Sequence, residues 1–321
     1  MYRQILVDPR DLDYQKILWR DSPLQPAEEY HLLTVTYGTA PAPFLALRVL
    51  QQLVEDEGSH FPAAISVLRV QVYIDDFLFG GDSHDSVRHL RDQTIELLGT
   101  GGFSLRKWAS NDFTLLSDIH PRNHGLATGK SLQTNEIISV LGISWNPALD
   151  TFNFKLNIPT ELPRTKRVIL STIAKLFDPI GWIVPILIVA KVYMQTLWSS
   201  RCDWDDVLPA TLLTEWQTFY EQLPDLEHLS IPRKLAPRVI QSTSLHGFSD
   251  ASTKAYAVAI YMRSVLCDGS IHTSLLVSKT RVASVKTVSV PRLELCAALL
   301  LARLLRFVRT ALHQEMIEAH C

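Results

Sequence analysis

Apolar positions recur along this chain with two different periods, and the changes of period mark its organisation. Within residues 1–150, runs at 2–7, 66–73 and 137–145 read as strands, whereas 43–55 and 85–98 repeat at helical spacing. Residues 165–177 and 184–198 carry longer helical patterns, separated by the breaker Asp178-Pro179-Ile180-Gly181. Pro224, Pro232 and Pro237 predict a linker. From residue 243 the order is strand, strand, strand, helix. That last helix begins near Pro291, a favourable first-turn residue, and is expected to run through Glu315 with no strand after it. Helices that cover a sheet usually return to it, and the opening run has no cap or turn before it, so both ends read as cuts in a longer chain.

Composition adds bounds rather than a function. The 321 residues are 47% hydrophobic and 20% charged, which excludes a disordered or collagen-like chain and allows two or three domains. The most apolar stretch, 180–190, is interrupted by Pro185 and falls well short of the roughly 20 residues that span a bilayer. The first residues carry charges where a signal peptide needs an apolar core, so no secretion is expected. Cys202, Cys267, Cys296 and Cys321 form no CxxC pair, which predicts reduced thiols in an intracellular protein, cytoplasmic or nuclear. The net charge of -2 conceals an asymmetry: residues 233–321 hold 12 Lys+Arg against 5 Asp+Glu. A basic third suits a phosphate backbone, with a merely solvated basic surface as the plainer alternative.

The sharpest chemistry lies at Tyr73-Ile74-Asp75-Asp76, where adjacent carboxylates interrupt an apolar run. Paired carboxylates beside apolar strands need partners, and a divalent cation such as magnesium favours carboxylate oxygens together with substrate phosphates. An ordinary Asp-Asp surface turn accounts for the same spacing.

A second constellation combines Asp250, in Leu245-His246-Gly247-Phe248-Ser249-Asp250, with Glu294 on the helix starting at Pro291. Ala297, Ala298 and Leu301 share a face with Glu294, which predicts a helix packed on the sheet with Glu294 over the strand bearing Asp250. Read singly, Asp250 is a turn residue and Glu294 a favourable charge near a helix start. His84, His89, His120 and His124 fit no zinc spacing and read as loop histidines. Trp198, Trp204 and Trp216 read as packing between helices rather than as base-stacking platforms.

Several segments in order resemble reverse transcriptases. Tyr73-Ile74-Asp75-Asp76 is similar to their YxDD hairpin. The stretch 34–44, with Gly38 and Pro43, resembles the segment that packs on template and incoming nucleotide. Phe103-Ser104-Leu105-Arg106-Lys107-Trp108 looks like the lysine-bearing strand, and Leu141-Gly142-Ile143-Ser144-Trp145 like the primer grip. The run Thr165-Lys166-Arg167-Val168-Ile169-Leu170-Ser171-Thr172-Ile173-Ala174-Lys175-Leu176-Phe177-Asp178-Pro179-Ile180-Gly181 resembles a segment specific to BEL/Pao long-terminal-repeat retrotransposons.

This resemblance implies an RNA-directed DNA polymerase followed by a ribonuclease H. It implies Mg2+ or Mn2+ on Asp75, Asp76, Asp250 and Glu294. Tyr2, Gly38, Pro43, Tyr73 and Lys107 become nucleotide or template contacts, and Leu141 and Gly142 the primer grip. Tyr2 falls at the position of the bulky residue that blocks a ribose 2'-hydroxyl. The family's first palm aspartate would lie just before Met1, and the later ribonuclease H carboxylates beyond Cys321, so the isolated chain is expected to be catalytically incomplete.

The expected fold is α/β (α+β): a reverse transcriptase palm over 1–150, a thumb or connection-like helical region over 151–237 and a ribonuclease H-like domain over 238–321. Expected partners are an RNA-DNA hybrid or primer-template, deoxynucleotides and the remainder of the pol polyprotein, with no membrane. The competing readings are a non-enzymatic retrotransposon-derived binding or interaction remnant, and an unrelated α/β metal-dependent phosphohydrolase that explains the paired carboxylates but not the order of motifs.

Overall fold

The computed structural model describes residues 1–125, 137–200, 202–236, 240–313 and 316–321. Two compact units divide the chain, Met1–Leu141 and Gly142–Cys321.

The first unit opens with strands β1 (Lys16–Trp19) and β2 (Glu28–His31), an exposed antiparallel hairpin. Helices α1 (Ala42–Glu57) and α2 (Pro62–Val70) follow, then the short strands β3 (Val72–Tyr73) and β4 (Asp76–Phe77), helix α3 (His84–Thr100) and β5 (Ile138–Val140). Its core forms where the helices meet: Ala42, Ala46, Leu50 and Val54 repeat every four residues on α1, against Ala64, Val67 and Leu68 of α2 and Leu97 and Leu98 of α3. A buried arginine ties α3 to the segment after it. Arg91, 3% exposed, donates to both carboxylate oxygens of Asp118 at 2.7 and 2.6 Å and to the Leu115 carbonyl.

Three expected strands are not formed as such. The run 66–73 is largely α2, because Pro62 presets its first turn and the buried positions 64, 67 and 68 follow the helical period. Residues 2–7 begin with a 3-10 turn over Tyr2–Gln4, closed by Gln4 N–H to the Met1 carbonyl and Ile5 N–H to that of Tyr2, and only Leu6 bridges Thr34. The 103–108 run has no regular structure beyond a bridge from Trp108 to His124, since Lys107 has a left-handed φ of 59° that no strand accommodates.

In the second unit, β6 (Ile143–Asn146), β7 (Thr151–Asn153) and β8 (Ser230–Pro232) form successive antiparallel pairs. Between β7 and β8 the chain builds a helical layer of α4 (Lys166–Ala174), α5 (Val184–Ser199) and α6 (Ala210–Gln222). The helix α6 is an addition to the patterns read from sequence. Trp216 of α6 is fully buried at the layer's centre and stacks on Tyr193 of α5, with ring centroids 5.5 Å apart.

The long strands β9 (Ile240–Ala251), β10 (Ala255–Leu266) and β11 (Ile271–Val282) follow, then α7 (Val290–Ala311) and β12 (Glu318–His320). They form a four-stranded sheet ordered β11-β10-β9-β12, in which β12 alone runs parallel to its neighbour. Along β10, Val258, Ile260 and Met262 alternate into the core, where they meet Leu301, Leu304, Leu305 and Val308 of α7.

The strand after the last helix corrects the sequence reading, which expected none. Ile317 is buried, Ala319 packs on the same core, and Arg309 of α7 donates to the Ile317 carbonyl at 2.7 Å, so the chain turns back and pairs Glu318–His320 with Ser244 to His246. Pro237 and Glu315, named as linker and helix end, lie outside the described residues. All four cysteines are free thiols. Among the described residues no helix is long and apolar enough to cross a membrane.

Candidate metal and nucleic-acid sites

In the first unit, β3 and β4 form a hairpin so tight that Tyr73 pairs directly with Asp76, leaving Ile74 and Asp75 as the two turn residues. Such a turn needs φ > 0 at its first central position, a place suited to glycine. Here Ile74 occupies it with φ 58°. A β-branched residue in that region costs on the order of 1–3 kcal/mol, and strain of this kind concentrates at functional sites.

Tyr73, Asp75 and Asp76 are all exposed. Partial burial raises the Asp76 pKa, the neighbouring Asp75 carboxylate raises it further, and Lys107 opposes both. The turn therefore concentrates negative charge that a cation would relieve, with Lys107 supplying part of that compensation. Lys107, singled out by sequence, is thus electrostatically coupled to Asp76 although it sits on no strand.

The other candidates of this unit are dispersed over its loops and edges. Tyr2 is half-buried and packs on the core. Gly38 has φ 86°, a left-handed conformation, and Pro43 lies exposed in the first turn of α1. Arg3 stacks over the Tyr37 ring at 6.0 Å, a link that no motif announced. Leu141, the last residue of this unit, and Gly142, the first of the next, have φ of 50° and 83°, the paired left-handed conformation of a type I' turn.

In the second unit, Asp250 is exposed near the C-terminal end of β9, and Glu294 is exposed in the first turns of α7. Gly247 of β9 receives α7: a Cβ there would lie 2.9 Å from Leu301 Cδ1 and 3.3 Å from the Cys321 sulfur. Leu245 and Gly247 therefore face α7, and strand alternation assigns His246, Phe248 and Asp250 to the opposite set. The helix packs through Leu293, Ala297 and Leu301, while Ala298 is exposed, a correction to the expected face. Glu294 is exposed beside the buried stripe of Leu293, Ala297 and Leu301. Past His246, β9 has no partner on its β12 side among the described residues, and Asp250 lies along that open edge.

Residues 165–321 match the family model of the Pao retrotransposon-like RNaseH-like domain. The match supports a BEL/Pao retrotransposon ribonuclease H region over that span, and the mixed α/β architecture there is consistent with it. No curated protein matches the chain. The Pao retrotransposon-like RNaseH-like span takes in Asp250 and Glu294, and also the whole helical layer, so its boundary falls at Thr165 rather than at the long strands. Asp75, Asp76 and the other first-unit candidates lie outside it.

Ribonuclease H-like proteins generally use divalent metals. Among the described residues, however, no group of three or more His, Cys, Asp or Glu side chains converges as a metal site. Of the four histidines, His84 meets the Thr114 hydroxyl at 2.6 Å, His120 caps a short turn and His124 meets the Ile119 carbonyl at 2.9 Å; His84 and His89 belong to α3 rather than to a loop.

Of the tryptophans in the Pao-like span, only Trp216 is core. Trp198 and Trp204 remain 54% and 42% exposed and meet edge to face at 5.5 Å, with Arg167 over Trp204. Their expected burial is corrected because Trp198 ends α5 and Trp204 follows it in a loop. Sequence reading also passed over His246 and His320, which stack at 4.8 Å in register across β9 and β12. The missing signal was β12 itself, too short to show a period.

Proposed function

We propose that the chain is part of a BEL/Pao-like retrotransposon RNA-directed DNA polymerase and ribonuclease H that holds a primer-template or RNA-DNA hybrid. In this reading residues 1–150 are palm, 151–237 a thumb or connection-like helical region and 238–321 the ribonuclease H-like domain. The observation that carries it is the Pao retrotransposon-like RNaseH-like match over 165–321, which lies downstream of a Tyr-Ile-Asp-Asp hairpin in the order that the resemblance requires.

Asp75 and Asp76 would hold a divalent cation, Mg2+ or Mn2+, at the hairpin tip, and Asp250 with Glu294 would hold another. When bound, such a cation supplies charge stabilisation for phosphoryl transfer. The Asp76 pKa is raised first by burial and then by the neighbouring Asp75 carboxylate, and a cation at the hairpin would offset the second of these. Ile74 fixes the direction of both acids, because a strained two-residue turn allows little rearrangement. Lys107 limits repulsion between the acids and is placed to meet a phosphate. Tyr2, Gly38, Pro43 and Tyr73 would contact template or deoxynucleotide, and the Leu141-Gly142 turn the primer.

Each site presents two carboxylates, fewer than a two-cation centre uses, which favours a second reading: a retrotransposon-derived module that binds nucleic acid without turning it over. Primer extension and RNA cleavage assays in magnesium, run beside a duplex-binding assay, test the proposal. The proposal expects hybrid binding with neither reaction above background from this chain alone. Extension abolished by Asp75→Asn would show that the hairpin carboxylates suffice, and absent hybrid binding would overturn the nucleic-acid reading altogether.

A further inference from the structure

The run 178–181 reads from sequence as a helix breaker, yet its structure does more than interrupt. The Asp178 carboxylate accepts the backbone N–H groups of Gly181, Trp182 and Ile183 at 2.8, 2.9 and 2.7 Å, which fixes the loop ahead of α5. Gly181 has φ 93°, and a Cβ there would overlap the Ser278 carbonyl oxygen. Only glycine fits both the conformation and the approach.

Ser278 lies on β11, the outer strand of the four-stranded sheet. Its backbone N–H donates to the Ile180 carbonyl at 2.9 Å, and its buried hydroxyl donates to the carbonyl of Gly181. Five residues further on, just past the end of β11, Gln195 of α5 donates to the Ala283 carbonyl at 2.7 Å. The edge of β11 is thus met by backbone and side-chain bonds from a different layer, where an uncovered edge strand would offer its polar groups to another chain.

We infer that the Asp178-Pro179-Ile180-Gly181 loop is a strap that closes the outer edge of the sheet and fastens the helical layer to it. The strap makes the helical layer and the long-stranded sheet one body. The sheet's edge is completed by residues that precede Ser278 by about a hundred positions in the chain. The inference does not depend on nucleic-acid binding.

Amide hydrogen exchange of the full chain tests it, with Gly181→Ala as the strong variant and the pair Ser278→Ala and Gln195→Ala as the mild one. The strap predicts that exchange at the Ser278 amide accelerates about ten-fold or more in the mild variant, while Leu245 on the inner strand β9 keeps its protection. Gly181→Ala should expose the whole β11 edge and promote self-association. Unchanged Ser278 exchange in the mild variant would overturn the inference. So would equal loss of protection at Ser278 and Leu245, since that describes general unfolding rather than release of an edge. If Gly181→Ala fails to fold, the mild variant still decides.

Discussion

The Lys107 ammonium acts on the Asp76 carboxylate, pulling down a pKa that burial and Asp75 push up. Because Asp76 holds its proton more tightly in the folded state, its ionisation opposes folding as pH rises through the ordinary carboxylate range and on through the raised value. Cation binding has the opposite sense, since protons compete for the same oxygens. Lys107→Met should therefore raise the Asp76 pKa further and shift manganese binding to higher pH. Carboxyl NMR titration with and without manganese measures both; an unmoved Asp76 titration would show that Lys107 does not reach it.

Arg91 is almost wholly buried, and its fork matches the Asp118 carboxylate. Arg91→Ala should destabilise the first unit by about 2 kcal/mol, from lost charged hydrogen bonds and packing. Arg91→Lys should recover little of this, because an ammonium cannot reproduce the two-pronged geometry. Denaturant unfolding checks the order; full recovery by lysine would contradict it.

Gly247 and Leu301 are coupled by contact. Gly247→Ala should cost about 1–3 kcal/mol through overpacking, and Leu301→Ala about 2–5 kcal/mol through a cavity. Combined, they should cost less than the sum, since the truncated leucine makes room for the new methyl. A strictly additive cycle would contradict the contact.

Tyr193 packs against Trp216 and donates its hydroxyl to the Leu212 carbonyl at 2.8 Å, and burial pushes its pKa up to about 12. A raised phenol pKa stabilises the fold below the ordinary value of 10.0, and that contribution is lost as pH climbs from there to about 12. Ultraviolet titration should show Tyr193 ionising late, together with loss of the helical layer, and Tyr193→Phe should diminish the late phase, to which Tyr30 and Tyr220, also raised, contribute.

Much of the second unit was legible because its elements are long: the alternation of β10, the breaker at Asp178 and the stripe of α7 all repeat over enough residues to define a period. Short elements were not legible. The strand reading of 66–73 failed because α2 is only nine residues and rich in residues that favour strands, so tertiary packing of Ala64, Val67 and Leu68 decided it. The return strand β12 rests on Ile317 and Arg309, which have no local signature. At the candidate sites, residue type revealed the acids, whereas their setting did not: nothing in the sequence gives Ile74 a left-handed φ, or assigns Asp250 to the side of β9 away from α7.

Titrating an RNA-DNA hybrid into the intact chain at increasing salt tests the central claim most directly. Because the basic third of the chain would displace counterions from phosphates, affinity should fall about ten-fold or more between roughly 50 and 200 mM salt. An affinity that is absent at low salt, or that does not change across this range, would contradict the assignment of this protein to nucleic-acid work.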